Sequence, residues 1–187
     1  ATVQAVQSVT DLPIQIDTSN TMALERALRH YNGKPLVNSV NGKDESLSEV
    51  LPLVAKYGGV VVALTLDESG IPATAEGRVE IARRIIAKGA EYGLTKDDFI
   101  VDVLCLAVSA DNTSANMILK AMKSVRDELG VRTALGVSNI SFGLPSRTDI
   151  NAAFYTLALN AGLSAAIINP LSVPMVSAYR AWRALTG

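Results

Sequence analysis

Cysteine and histidine are almost absent: the 187 residues hold one of each, Cys105 and His30. A lone cysteine has no partner for an internal disulfide, and a lone histidine cannot seed a His-rich metal site, so no metal centre is expected. Long apolar runs are missing too. Stretches such as residues 58–66 are too short to cross a bilayer, and no basic segment, apolar stretch and small-residue cleavage site open the chain. Neither sign of charge dominates. The 17 basic and 18 acidic residues are spread along the chain and leave a net charge of -1, so no stripe exists to neutralise phosphates or an anionic membrane. Nucleic acid and membrane are therefore not expected as partners, and a cytoplasmic location is. No proline-rich linker, low-complexity tract or charge block divides the sequence, and residues 1–187 read as a single domain.

What is present is apolar and periodic. About half the residues, 49%, are hydrophobic, enough to bury a substantial core. Short β-rich runs alternate with longer stretches of helical period, which marks repeated βα units around a parallel sheet. Six strands are predicted, at residues 13–17, 35–39, 59–66, 99–104, 132–138 and 165–169. VVVAL, FIVDVL, TALGV and AAII are nearly continuous in apolar residues, as central strands covered on both faces are. Between strands, Ile118, Met122, Val125 and Leu129 recur at helical spacing. Gly33, Gly93 and Gly130 stand where helices would end in a left-handed residue, and residues 173–185 make the last helix. Six units do not close a parallel barrel, which takes eight strands. Either the chain starts inside a barrel, with strands ahead of residue 1, or the sheet is open with helices on both faces.

In parallel α/β proteins chemistry gathers at the carboxyl ends of the strands. Polar residues recur there: Asp17 in IQIDTSN, Asn38 in PLVNSVNG, Asp67 and Glu68 in ALTLDESG, Asp102 in FIVDVL, Ser138 and Asn139 in LGVSNIS, and Asn169 in AAIINP. This rim offers carboxamides and carboxylates, with no Ser/His/Asp set, no Cys/His pair and no strand lysine, so it suits recognition better than nucleophilic attack. Asp102 interrupts an apolar strand and needs a donor, from the fold or from a ligand. A heterocycle edge with two adjacent N–H groups, such as the 2-amino group and N3–H of a pterin, would satisfy it. Plainer roles stand beside these. Asp17, Ser19 or Asn20 can cap the helix beginning near Thr21. Asn38 can be a turn residue, Asn139 can shape its loop, His30 suits a helix C-terminus, and Cys105 suits a small buried slot.

Taken in order, IDTSN, PLVNSVNG, ALTLDESGIP, FIVDVLCLAVSAD, LGVSNISFGLPSR and AAIINP resemble the pterin-binding methyltransferases, which include the folate domain of cobalamin-dependent methionine synthase. The resemblance runs along essentially the whole chain. It implies a TIM (β/α)8 barrel of the pterin-binding type, present as about six βα units with its N-terminal strands missing. It also implies methyl transfer between N5 of 5-methyltetrahydrofolate and the cobalt of a corrinoid such as cobalamin, carried by a partner protein or domain, in barrels that often pair as homodimers. By the same resemblance Asp17, Asn38 and Asp102 would contact the pterin, Gly136 and Ser138 would shape the loop that approaches it, and Asn139 would act near N5. Phe142 after Ser141 is similar to the methionine-synthase-like branch, while Val103 stands where some members have proline. The nearest rival, dihydropteroate synthase, carries a strand-seven lysine and an Arg-x-His motif, and neither occurs here. A noncatalytic barrel segment of a larger protein is the rival from another class.

Overall fold

All six predicted strands form in the computed structural model, which describes residues 2–187. A short helix α1 (Thr2–Gln7) leads into β1 (Gln15–Asp17), α2 (Thr21–Arg29), β2 (Leu36–Asn41), α3 (Asp44–Tyr57), β3 (Val60–Leu64) and α4 (Ala75–Ala90). Then follow β4 (Phe99–Asp102), α5 (Ser114–Ser124), β5 (Arg132–Gly136), α6 (Arg147–Asn160), β6 (Ala165–Ile167) and α7 (Val173–Thr186). The strands form one sheet in the order β1-β2-β3-β4-β5-β6, and every neighbouring pair is parallel. That order decides between the two architectures left open by periodicity. A doubly wound sheet reverses its strand order at a switch point, whereas a barrel adds each strand beside the last. No reversal occurs here, so the sheet is a segment of a barrel.

One face of the sheet meets the helices. Ile16, Val37, Val61, Ala63, Val101 and Leu135 point to it and are buried with Leu47, Leu51, Ile85, Ile118 and Met122 in one hydrophobic cluster. Side chains alternate along a strand and parallel register partners share a face. Asp17, Asn38, Leu64, Asp102 and Gly136, each one residue on, therefore point to the opposite, inner face. Gly130 (φ 66°) ends its helix as a left-handed cap and Gly93 (φ 84°) stands in the turn closed by the Leu94 N–H on the Gly89 carbonyl, as expected; Gly33 (φ 113°) is left-handed too but lies past the His30 cap of α2, in the loop before β2. Ile118 and Met122 on α5 and Val125 and Leu129 on the following π-turn are all buried.

The outermost strands depart from expectation. AAII is not a central strand: β6 is at one edge of the sheet, with β5 its only sheet partner among the described residues, and Ala165 and Ile167 on its inner face are exposed. An apolar run records the chemistry of a strand, not how many strands flank it. Several strands also stop short of the predicted end, β4 at Asp102 and β5 at Gly136, because side-chain and 3-10 hydrogen bonds take over there. Among the described residues no helix is long and apolar enough to cross a membrane.

Candidate functional site

Asn20 settles one choice at the rim. Its Oδ1 accepts from the Ala23 N–H at 2.9 Å and caps α2, while Asp17 takes no part in the cap and stays exposed on the inner face. Asp17 and Asn38 are register partners. Just beyond Asn38 the ladder slips, a bulge that a cis peptide between Asn38 and Ser39 accompanies. A cavity of about 350 Å³ opens over these two strand ends, lined by Asp17, Thr18, Asn38, Asn41, Lys43 and Ser46 among others. Polar groups dominate that wall, and the cleft suits a polar heterocycle better than an apolar one.

Asp102 lies further round the sheet, at the register level of Leu64 and Ala134, outside that cavity's lining. Its residue surface is 8% exposed. Burial lifts its carboxyl to about 6, against the opposing pull of the Leu104 N–H and the positive charge of Arg78. Oδ1 accepts from the Leu104 N–H at 2.8 Å, and among the described residues Oδ2 accepts no hydrogen bond. Nearby, the single cysteine is a buried small residue. Burial first, then the Asp102 charge, pushes the Cys105 thiol up to about 12, so it stays protonated and unreactive.

After β5 the chain turns through a 3-10 segment (Val137–Ser141). Gly136 leaves space there. A Cβ on it would lie 3.1 Å from Asn139 Nδ2, so the bare glycine lets the Asn139 carboxamide lie over the inner face. Asn139 is exposed, and among the described residues its side chain makes no hydrogen bond. Ser138 contributes its backbone: its carbonyl accepts from Ser141 Oγ at 3.3 Å and from Arg147 Nη2 at 3.1 Å, which ties the turn to the start of α6. Arg147 also stacks on the Phe142 ring at 4.6 Å.

The inner face thus carries Asp17, Asn38, Asp102 and Gly136, with Asn139 over Gly136 and Ser138 beside it. The remaining polar rim residues serve local structure. Asp67 Oδ1 accepts from the Ser69 N–H, Glu68 accepts from the Asp44 N–H at the start of α3, and Asn169 Oδ1 accepts from the Leu171 N–H. His30 is the C-cap residue of α2. Sequence reasoning missed Arg78, fully buried on α4 beneath the loop after Asp102. The signal was present: Arg78 falls on the helical stripe of Ala75, Val79, Ala82 and Ile85, where a charge is out of place.

The sequence profile described as pterin binding enzyme matches residues 1–169. The chain belongs to that family. This pterin-binding domain is related to the methionine synthases and corrinoid methyltransferases. It is 32% identical over 185 residues to the methylcorrinoid:tetrahydrofolate methyltransferase of Eubacterium limosum, covering 97% of this chain and 68% of that protein. It is 33% identical over 171 residues to the methionine synthase of Mycobacterium tuberculosis, covering 84% of this chain but only 14% of that much longer protein. Among solved structures, the dihydropteroate synthase of Stenotrophomonas maltophilia superposes with a TM-score of 0.74 at 19% identity, over 98% of this chain and 72% of that one. The enzyme of Xanthomonas albilineans in complex with 7,8-dihydropteroate gives 0.73 at 19% identity, over 99% and 71%. At that identity the likeness shows the fold, a partial (β/α) barrel of the pterin-binding type.

Proposed function

We propose that this domain transfers a methyl group between N5 of 5-methyltetrahydrofolate and the cobalt of a corrinoid carried by a partner protein or domain. The observation that carries the reading is the match to the Eubacterium limosum methyltransferase along 97% of the chain. The chemistry of the inner face supports it. Asp102 offers a largely ionised carboxylate with an open oxygen to the adjacent N–H groups of the pterin edge, and a buried charge-assisted pair of that kind rejects rings lacking those donors. Asp17 and Asn38, neighbours in register, take polar edges of the same ring. Gly136 and Ser138 shape the turn that brings Asn139 over it.

When bound, the corrinoid supplies the metal centre that exchanges the methyl group. The residues of this chain act on the folate side. As the methyl–N5 bond breaks, its electron pair stays on N5, and because an unprotonated N5 is a poor leaving group the proton must reach N5 before or during that step. Asn139 cannot titrate, but its carboxamide can hold N5 and an attached water by hydrogen bonds that tighten as the charge on N5 changes. The proton itself comes from solvent at the exposed rim. Asn139→Ala is expected to lower the rate of methyl transfer on the order of 10²-fold with little change in 5-methyltetrahydrofolate affinity. Single-turnover spectroscopy of the corrinoid, with calorimetry for binding, measures both. Normal binding with a wild-type transfer rate would remove Asn139 from the mechanism.

A further inference from the structure

An arginine with no exposed surface occupies a core position of α4. A buried guanidinium is tolerated only when its donors are used. Arg78 Nε donates to the Pro72 carbonyl at 3.0 Å, and Nη1 donates to the carbonyls of both Val103 and Leu104. Its Nη2 is buried and, among the described residues, has no hydrogen-bond partner. Val103 and Leu104 are the two residues after Asp102. Leu104 stands at φ 64°, a left-handed conformation that a leucine rarely adopts. It is held there from two sides: its N–H donates to Asp102 Oδ1 and its carbonyl accepts from Arg78. Strain retained at a single residue by such over-determination is a mark of functional sites.

We propose that Arg78 is a positioning residue for pterin recognition, clamping the turn after β4 so that Asp102 presents a free oxygen to the inner face. This rests on the reading of Asp102 as a pterin contact. No ion pair joins the two side chains directly; Arg78 works through the two carbonyls and through its charge, which opposes the effect of burial on Asp102. The charged or titratable groups facing Asp102 are Arg78 from α4 and Cys105 from its own loop. β3 brings Leu64, Thr65 follows just past its end, and β5 brings Ala134, none of which titrates. The Val137–Ser141 turn meets the loop through the backbone of Val137 and Ile140. With the Cys105 thiol pushed up to about 12, Asp102 is the group facing Arg78 that titrates between pH 5 and pH 8.5; burial raises it most, with the Leu104 N–H and then the Arg78 charge opposing.

The test uses Arg78→Lys, Arg78→Met and Asp102→Asn in the protein, each checked for folding by circular dichroism. Affinity for 5-methyltetrahydrofolate is measured by calorimetry from pH 5 to pH 8.5, and the Asp102 carboxyl is titrated by carbon NMR without ligand. Wild-type affinity should fall as pH drops through about 6. Arg78→Met should lose on the order of tenfold at pH 7, recover part of it at pH 8.5, and move the carboxyl midpoint upward. Arg78→Lys, which keeps the charge, should shift less. A folded Arg78→Met with the wild-type pH profile would overturn the proposal. If that variant does not fold, an Arg78→Lys protein that binds and titrates as wild type does so instead. A wild-type protein that binds no pterin defeats the functional reading, whereas a moved Asp102 midpoint in that protein still upholds the control of Asp102 by Arg78.

Discussion

The Asp102 carboxyl titrates near 6 in the folded chain against an ordinary value of 3.8, with burial as the cause. Because the folded state binds the proton more tightly, this group's contribution to stability is fully present below about pH 4. It is lost as pH rises through about 6, and by pH 7 the loss reaches about 3 kcal/mol at most. Asp102→Asn removes the buried charge yet keeps an oxygen for the Leu104 N–H. It is expected to be more stable than wild type by roughly 1–2 kcal/mol at pH 7 and nearly equal to it at pH 4.5. Urea unfolding at the two pH values measures this, and a variant less stable at pH 7 would mean that the charge is well paired. On the proposed reading, recognition of a ligand is what offsets the stability that this buried carboxylate costs. At this scale Asp102 stood out because a carboxylate in FIVDVL needs a donor; the plain alternative, a structural ion pair, is not formed among the described residues, where its partner is the Leu104 N–H. The use of Asn20 as cap rather than Asp17 was not legible, since both suit the position by composition and only the backbone angles at the start of α2 select between them.

Elements carry the site because their ends are fixed by packing between layers. Gly89 shows how tightly α4 lies on β4: a Cβ there would stand 2.3 Å from Phe99 Cζ, the ring of a fully buried side chain. Alanine is the better helix former by about 1 kcal/mol, but the overpacking it forces at a buried contact costs more, typically about 1–3 kcal/mol. Gly89→Ala is thus expected to lower the unfolding free energy by roughly 1–2 kcal/mol and to disturb β4, the strand that presents Asp102. Denaturant titration checks it, and a stabilised variant would show that α4 can move away from the sheet. The existence and type of each strand were readable from apolar runs bounded by glycine and polar residues. Their ends were less so. β4 closes at Asp102 because that side chain folds back on Leu104, and β5 closes at Gly136 because a 3-10 turn begins. Arg78 was hidden in plain view: the helical stripe of α4 includes it, but its partners are the Pro72 carbonyl and the backbone carbonyls of a loop 25 residues away, which no pattern within the helix announces.

For the whole molecule, sequential parallel strand order makes the sheet a barrel segment, with one helix-covered face and one face free for polar residues. Periodicity alone left an open sheet and a barrel equally available; the order of neighbours, a long-range property, separates them. The inner face then gathers Asp17, Asn38 and Asp102 from strands separated in sequence by up to 85 positions between Asp17 and Asp102. Their convergence on one function remains the central claim, and calorimetric titration of the protein with 5-methyltetrahydrofolate, using pteroate as competitor, tests it most directly. Saturable binding is expected, displaced by pteroate and abolished by Asp102→Ala in a variant folded as wild type. A folded wild-type protein that binds neither ligand, or an Asp102→Ala variant that binds as tightly as wild type, would contradict it.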